Sequence, residues 1–213
     1  MKITWIGHSC FKIESAGYTI ITDPYEDGYV PGLKPLRERA DMVLCSHEHG
    51  DHNARNLVEI IGGQESPFVV ETIETWHDEV QGKKRGPNTI HILEAEGIRV
   101  AHMGDLGCEL ENEQIQKLKG VDICLIPVGG HFTIDGKQAA ELVQLIKPQL
   151  VIPMHYRDDA AGFGFAVISQ VDEFTECMSS VLKSTVSKAG SCCIDTDQMP
   201  DAQVVVLTPR DVA

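Results

Sequence analysis

One segment constrains this chain more than any other part of its sequence: His47-Glu48-His49-Gly50-Asp51-His52. It places three imidazoles and two carboxylates within six residues, and burial of such a cluster is costly unless something binds it. A divalent metal ion can do so, because neutral imidazole and carboxylate are good ligands for Zn, Fe or Mn. The alternative interpretation is a polar surface turn.

The residues on either side of this segment predict a loop between a strand and a helix. Residues 41–46 form a short, mostly apolar run, which is typical of a buried strand. Asn53 can cap a helix whose apolar positions lie between residues 57 and 61. Ligand sites in α/β proteins concentrate at loops of this kind, so we expect the functional site here.

Three further candidate ligands lie near the ends of predicted strands, which are rigid supports for a metal site. They are His77, Asp105 and His155. We predict two neighbouring metal sites, bridged by the Asp105 carboxylate. The first site would contain three imidazoles, those of His47, His49 and His77. The second would contain one carboxylate and two imidazoles, those of Asp51, His52 and His155.

Such a pair of sites predicts hydrolytic chemistry. Metal ions lower the pKa of a shared water enough to give hydroxide near neutral pH, and we expect this hydroxide to be the nucleophile. Asp51 would be the catalytic residue, orienting the hydroxide and taking part in proton transfer. The expected cofactors are two divalent metal ions, with Zn as the first choice and Mn, Fe or Ni as alternatives.

Composition limits the partners and the location. The 213 residues are 42% hydrophobic, which suits one domain covering residues 1–213. The net charge of −14 predicts repulsion from phosphate backbones, so we expect a small-molecule substrate and no nucleic acid. The sequence contains neither the apolar segment of a signal peptide nor a bilayer-spanning run. Without a bilayer-spanning run, we expect no membrane partner. Seven cysteines without Cys-x-x-Cys spacing indicate reduced thiols in the cytoplasm.

Hydrophobic patterning outside the His cluster predicts alternating strands and helices. Residues 2–22 predict an antiparallel meander, residues 25–39 a long loop, and residues 88–102 a hairpin. The remaining predicted strands cover residues 67–72, 75–80, 122–128, 150–154, 192–194 and 204–207. The remaining predicted helices cover residues 111–119, 137–146 and 169–182.

Taken together, these motifs resemble the metallo-β-lactamase superfamily. The resemblance lies in His-x-His-x-Asp-His after a buried strand, a later lone His, a Gly-Asp at a strand end and a final strand-end His. Further motifs are similar to those of a small, single-domain branch of metal-dependent hydrolases related to L-ascorbate-6-phosphate lactonase. They are Trp5-Ile6-Gly7-His8-Ser9-Cys10-Phe11, Arg85-Gly86-Pro87-Asn88-Thr89-Ile90, Pro127-Val128-Gly129-Gly130 and Ile152-Pro153-Met154-His155-Tyr156. The resemblance implies an α/β (α+β) fold, a four-layer αββα sandwich with the metals in a cleft at one edge of its two sheets.

The resemblance also implies a substrate class. A small lactone or ester is the first choice, and a phosphodiester or small nucleotide is the second. A mononuclear iron dioxygenase and a metal-binding module without turnover are alternatives of a different class. Proteins similar to this one are commonly multimers, so a homo-oligomer is also expected.

Several polar residues near the predicted ligands are candidates for contact with substrate or with the ligands themselves. They are His8, His102, His131 and Tyr156. This branch often has His where the chain has Cys108, and an apolar or small residue where it has His131. Arg85 and Lys84 lie in a basic loop that could bind an anionic substrate, or could be a solvated turn.

Overall fold

The first three strands form an antiparallel meander, as the sequence predicts. In the computed structural model, which describes residues 1–201 and 203–213, they are β1 (Lys2–Gly7), β2 (Cys10–Ser15) and β3 (Tyr18–Thr22). The turn between β2 and β3 places Ala16 and Gly17 at positive φ, which suits the right-handed twist of a tight hairpin. β5 (Met42–Leu44) and β13 (Cys193–Asp195) complete a five-stranded sheet in the order β13-β1-β2-β3-β5.

A second sheet contains seven strands. They are β7 (Val69–Trp76), β8 (Pro87–Ala95), β9 (Ile98–His102), β10 (Ile123–Pro127), β11 (Leu150–Met154), β12 (Val186–Lys188) and β14 (Val204–Val206). Their order is β12-β14-β11-β10-β9-β8-β7. The predicted hairpin is β8 and β9, whereas β9, β10, β11 and β14 run parallel. A separate short pair joins β4 (Glu38–Ala40) to β6 (Val58–Ile60).

Within the described residues, three α-helices flank the strands: α1 (Asn112–Leu118), α2 (Gly136–Ile146) and α3 (Asp172–Glu176), the last continued by a π-helical turn over Cys177–Val181. α2 begins with a capping box, in which Asp135 accepts a hydrogen bond from the backbone N–H of Gln138. It ends at Lys147, which adopts a left-handed conformation immediately before Pro148. None of the helices in residues 1–201 and 203–213 has the length and hydropathy that crossing a bilayer requires.

The two sheets share one hydrophobic core. Trp5, Phe11 and Ile20 of the five-stranded sheet belong to the same buried cluster as Leu125 and Ile152 of the seven-stranded sheet. Every residue of β10 and β11 is buried, as expected of central parallel strands covered on both faces. The architecture is therefore an α/β sandwich.

Four predicted elements differ from the structure. The helix predicted after Asn53 is wrong: a single 3₁₀ turn over Arg55–Leu57 leads into β6, and Ile60 is 56% exposed, so no apolar helix face is buried there. The strands predicted at 67–72 and 75–80 are replaced by one strand, β7, because pairing with β8 continues without a break from Val69 to Trp76; residues 77–80 belong to the following loop. The last helix begins at Asp172, later than predicted, while β4 and β12 are too short for their patterns to predict them.

Strand ends from both sheets meet at one edge of the sandwich. β3 and β5 run parallel, so the residues after Thr22 and after Leu44 lie side by side. In the other sheet β7, β9 and β11 share one direction, because each antiparallel pairing of β8 reverses the chain. The loops that follow these strands therefore converge at this edge.

Gly136 offers a test of the packing between α2 and α3. A Cβ added there would lie 2.6 Å from the backbone nitrogen of Phe174, whereas one added at Gly190 would meet nothing within 4 Å. Helix propensity alone favours alanine at position 136. We nevertheless expect Gly136→Ala to lower the free energy of unfolding by roughly 1–3 kcal/mol, because backbone must shift. Thermal unfolding checks this, with Gly190→Ala as the neutral control; a stabilised Gly136→Ala variant would contradict the packing.

Candidate metal centre

The structure brings all seven predicted ligands together at the edge where the strand ends meet. Potential ligand atoms lie within 4.8 Å of one another in three overlapping groups. The first group contains His47, His49 and His77. The second contains His47, His52 and Asp105. The third contains His8, Asp51, His52 and His155, so His8 joins the second predicted site.

The Asp105 carboxylate lies at the centre of the cluster. Its Oδ2 atom is 3.1 Å from Nε2 of His52 and 3.1 Å from Nε2 of His155. The same oxygen is 3.3 Å from Nε2 of His77 and 4.0 Å from Nε2 of His47. One carboxylate oxygen therefore faces imidazoles of both predicted sites, as a bridging ligand would.

Several of these atoms are buried without a hydrogen-bond partner in the described part of the chain. They include Nε2 of His47, Nε2 of His52, Nε2 of His155 and Oδ1 of Asp105. A buried polar atom without a partner costs about 1–3 kcal/mol, so four in one cluster indicate a missing ligand. Divalent metal ions bind this set of donors, and the residues present therefore fit them.

Burial favours the ligating form of two of the histidines. Burial and the neighbouring His52 lower the pKa of His47 to about 3. Burial also lowers the pKa of His77, against the opposing charge of Asp105. Both imidazoles are therefore neutral at physiological pH, and neutral imidazole is the form that binds a metal ion.

His52 and Asp105, in contrast, each stabilise the charged form of the other. Burial opposes the charge on His52, but Asp105, Asp51 and Asp23 outweigh it and raise the pKa of this imidazole. Burial likewise opposes the charge on Asp105, but His155 and His52 outweigh it and hold the pKa of the carboxyl well below its usual range. In the protein without metal, a protonated His52 and an ionised Asp105 therefore face each other where the metal ions would lie.

Asp23 supports the cluster from behind, and sequence reasoning missed this role. Its Oδ2 atom lies 2.7 Å from Nδ1 of His52 and accepts a hydrogen bond of 2.6 Å from the Ser46 hydroxyl. The Ser46 hydroxyl in turn lies 2.9 Å from Nδ1 of His47. Asp23 thus orients two predicted ligands whose Nε2 atoms face Asp105. The signal available in the sequence was an acidic residue directly after a buried strand. Because Pro24 follows it, the pair resembles an ordinary strand end.

The other candidate residues take different positions. His8 is buried, with Nε2 3.3 Å from Oδ2 of Asp51. His102 lies beneath the cluster, where its Nε2 is 2.8 Å from the Ser9 carbonyl oxygen. His131 is exposed and contacts Phe132 edge-on, outside the metal cluster.

Tyr156 lies in the hydrophobic core rather than against the cluster. Its ring packs 5.4 Å from that of Trp5 and 5.9 Å from that of Phe163, and burial raises the pKa of its hydroxyl. The prediction that it contacts substrate or the ligands is therefore wrong: the side chain after His155 turns inward, between the sheets, where an aromatic ring gains most from burial.

A cleft of about 230 Å³ opens onto the cluster. Its walls combine four predicted ligands with one cation and three aromatic rings. They are His49, Asp51, His77, Asp105, Arg85, Tyr29, Phe132 and Phe165. The aromatic rings follow one another edge to face, from Tyr29 through Phe165 to Phe132. Sequence reasoning missed these rings, because their loops carry no pattern that brings them together.

Comparison with known proteins identifies the family to which this chain is similar. The model of the β-lactamase superfamily domain matches residues 2–155. A UPF0173 metal-dependent hydrolase of Thermococcus onnurineus is 32% identical over 190 residues, covering 73% of this chain and 84% of the relative. A second one, from Pyrococcus furiosus, is 30% identical and covers 89% of this chain and 97% of its own length.

A solved structure extends the similarity to the whole fold. The crystal structure of a proposed Zn-dependent hydrolase of the metallo-β-lactamase superfamily from Thermotoga maritima is 32% identical, with a TM-score of 0.75. The alignment covers 97% of each chain. The fold class and the family resemblance are confirmed, whereas the relation to L-ascorbate-6-phosphate lactonase stays a prediction. The chain belongs to the β-lactamase superfamily and has its metallo-β-lactamase fold.

Proposed function

We propose that this protein is a metal-dependent hydrolase with two divalent ions in the cleft. The observation that carries the proposal is the position of the Asp105 carboxylate, with one oxygen facing imidazoles of both predicted sites. The names of the relatives, metal-dependent hydrolases, support the same reaction class. Zn is the first choice of metal, because imidazole-rich sites with a carboxylate suit it, and Mn, Fe and Ni are alternatives.

The ligands divide between two positions that share Asp105. The first ion would be held by the imidazoles of His47, His49 and His77. The second would be held by Asp51, His52 and His155. Ions bound in this way lower the pKa of water and polarise the oxygen of a carbonyl or phosphoryl group.

Asp51 is the residue that we assign to proton transfer. It lies in the wall of the cleft, where it can reach both water and substrate. Burial opposes its charge, but His52 and His8 outweigh burial and lower the pKa of the carboxyl, so Asp51 is ionised at neutral pH. His8, 3.3 Å away, fixes the carboxylate from the protein side.

The proposed substrate is a small lactone or ester. A cleft of about 230 Å³ accommodates a small molecule. Water would add across the acyl carbon–oxygen bond, the acyl carbon gaining the hydroxyl and the alcohol oxygen the proton. A phosphodiester is the second candidate, since the same donors would serve it. All seven cysteines are free thiols, which supports our further proposal of a cytoplasmic location.

Metal content tests the two-site arrangement directly. We expect two equivalents of metal per wild-type chain, one equivalent in His49→Ala, and one in His155→Ala, because each substitution removes a ligand from a different site. Inductively coupled plasma mass spectrometry of protein purified without chelators or a His-tag measures this.

The matched control for metal content is His131→Ala, which removes an exposed histidine outside the cluster. It should keep both equivalents. One equivalent of iron in the wild type, with oxygen consumption on a thiol substrate, would support the dioxygenase alternative instead. Full metal loading without hydrolysis of any ester, lactone or phosphodiester would support a module without turnover.

Asp51→Asn tests the proton-transfer role. The amide keeps the shape of the side chain but cannot accept a proton, so we expect kcat/KM to fall by roughly 10²–10⁴-fold. Steady-state hydrolysis of a chromogenic ester or lactone measures the loss, with metal content determined on the same samples. If the Asp51→Asn variant has full metal loading and turns over the substrate at the wild-type rate, the assignment is disproved.

Asp23→Asn tests the support behind the ligands. Loss of the carboxylate that faces Nδ1 of His52 should lower metal affinity by roughly 10–100-fold. Competition with a chromophoric chelator measures the affinity. Asp41→Asn is the control, because Asp41 accepts a hydrogen bond from the backbone of Thr19 and contacts no ligand. Equal affinities in the two variants would show that Asp23 does not orient the ligands.

A further inference from the structure

The loop between β7 and β8, residues 77–86, is held in one conformation by a single carboxylate. Asp78 is buried directly after the predicted ligand His77. Its two oxygens accept four backbone hydrogen bonds of 2.8–2.9 Å, from the N–H groups of Val80, Gly82, Lys84 and Arg85. These hydrogen bonds hold the loop in a defined conformation, which sets the positions of its side chains.

Two adjacent cations of this loop, Lys84 and Arg85, have different surroundings. The Lys84 ammonium pairs with Glu79 on the exposed surface. The Arg85 guanidinium instead lies 5.4 Å from the centre of the Phe132 ring and forms part of the cleft wall. Among residues 1–201 and 203–213, no carboxylate forms a salt bridge with the Arg85 side chain.

An arginine without an acidic partner is notable in a chain that has 32 acidic residues and 18 basic ones. The Phe132 ring holds the guanidinium by a cation–π contact that leaves its N–H donors directed elsewhere. Five such donors in a planar fork match the geometry of a carboxylate or phosphate. The cleft therefore combines hydrolytic residues, an apolar wall and one free anion-binding group.

We propose that Arg85 binds an anionic group of the substrate, so that the substrate is a small ester or lactone carrying a carboxylate or phosphate outside the reacting bond. This inference rests on the proposed hydrolytic function of the same cleft. The anionic group lies against Arg85 and Phe132, and the reacting bond lies against Asp51 and Asp105. Because all four residues line one cleft of about 230 Å³, only a short spacer separates the two ends of the substrate.

A binding experiment tests the anion site without turnover. The probes are benzenesulfonate and methyl phenyl sulfone, which have similar shapes but differ in charge, and the sulfonate is a weak metal ligand. Isothermal titration of the metal-loaded wild type should show tighter binding of benzenesulfonate. Arg85→Met should weaken that binding by roughly tenfold or more, because a charge-assisted hydrogen bond is lost, and should leave the sulfone unchanged.

Lys84→Met is the matched control, since it removes the same charge from the adjacent residue of the same loop. It should bind both probes as the wild type does. Arg85→Lys should restore part of the affinity, because it keeps the charge without the planar fork. If the melting temperature of the Arg85→Met variant differs from that of the wild type, the titration is made with the Arg85→Gln variant instead. Equal losses in the Arg85 and Lys84 variants, or no preference for the anion, would overturn the proposal.

Kinetics distinguish failure of this inference from failure of the hydrolase proposal. With 4-acetoxybenzenesulfonate and phenyl acetate as ester substrates, Arg85→Met should raise KM for the anionic ester alone. An equal effect on both esters would overturn the anion site while leaving hydrolysis intact. Charge-selective binding through Arg85 in a protein that hydrolyses neither ester would support the anion site and contradict the proposed function.

Discussion

The cluster of candidate metal ligands at one edge of the sandwich depends on one buried carboxylate. Asp105 is 1% exposed, and its Oδ2 atom lies within 4.0 Å of four imidazole nitrogens. Carboxylate and imidazoles stabilise one another only in part, because several of their atoms have no hydrogen-bond partner in the described residues. The fold tolerates this free-energy cost because the polar side chains lie at the ends of the sheets, whose central strands β10 and β11 are fully buried. A bound cation would remove the cost.

Three acidic residues in the loops that follow strands act differently because their partners differ. Asp105 faces imidazole nitrogens, Asp23 faces Nδ1 of His52 and the Ser46 hydroxyl, and Asp78 faces only backbone N–H groups. The first is suited to bind metal, the second to orient ligands and the third to shape a loop. A carboxylate at a strand end is thus not by itself a ligand, since the donors around it determine its role.

The sequence predicts most of this site, because its ligands lie in a compact motif or directly after strands. His47 to His52 are adjacent in the chain, and the buried runs before Asp105 and His155 indicate where those side chains emerge. Asp23 and the aromatic wall at Phe132 and Phe165 could not be predicted, since only the packing of distant loops brings them to the cleft. One local pattern gave a wrong element: the apolar residues after Asn53 predicted a helix, where the chain forms the short strand β6 with an exposed Ile60.

The central claim is that Asp105 joins two metal positions, and anomalous diffraction from crystals of the metal-loaded protein tests it most directly. Data collected at the absorption edge of the bound metal locate each ion without assumptions about its ligands. We expect two peaks near the Asp105 carboxylate, one beside His47, His49 and His77, the other beside Asp51, His52 and His155. A single peak, or two peaks that do not share Asp105, would contradict it.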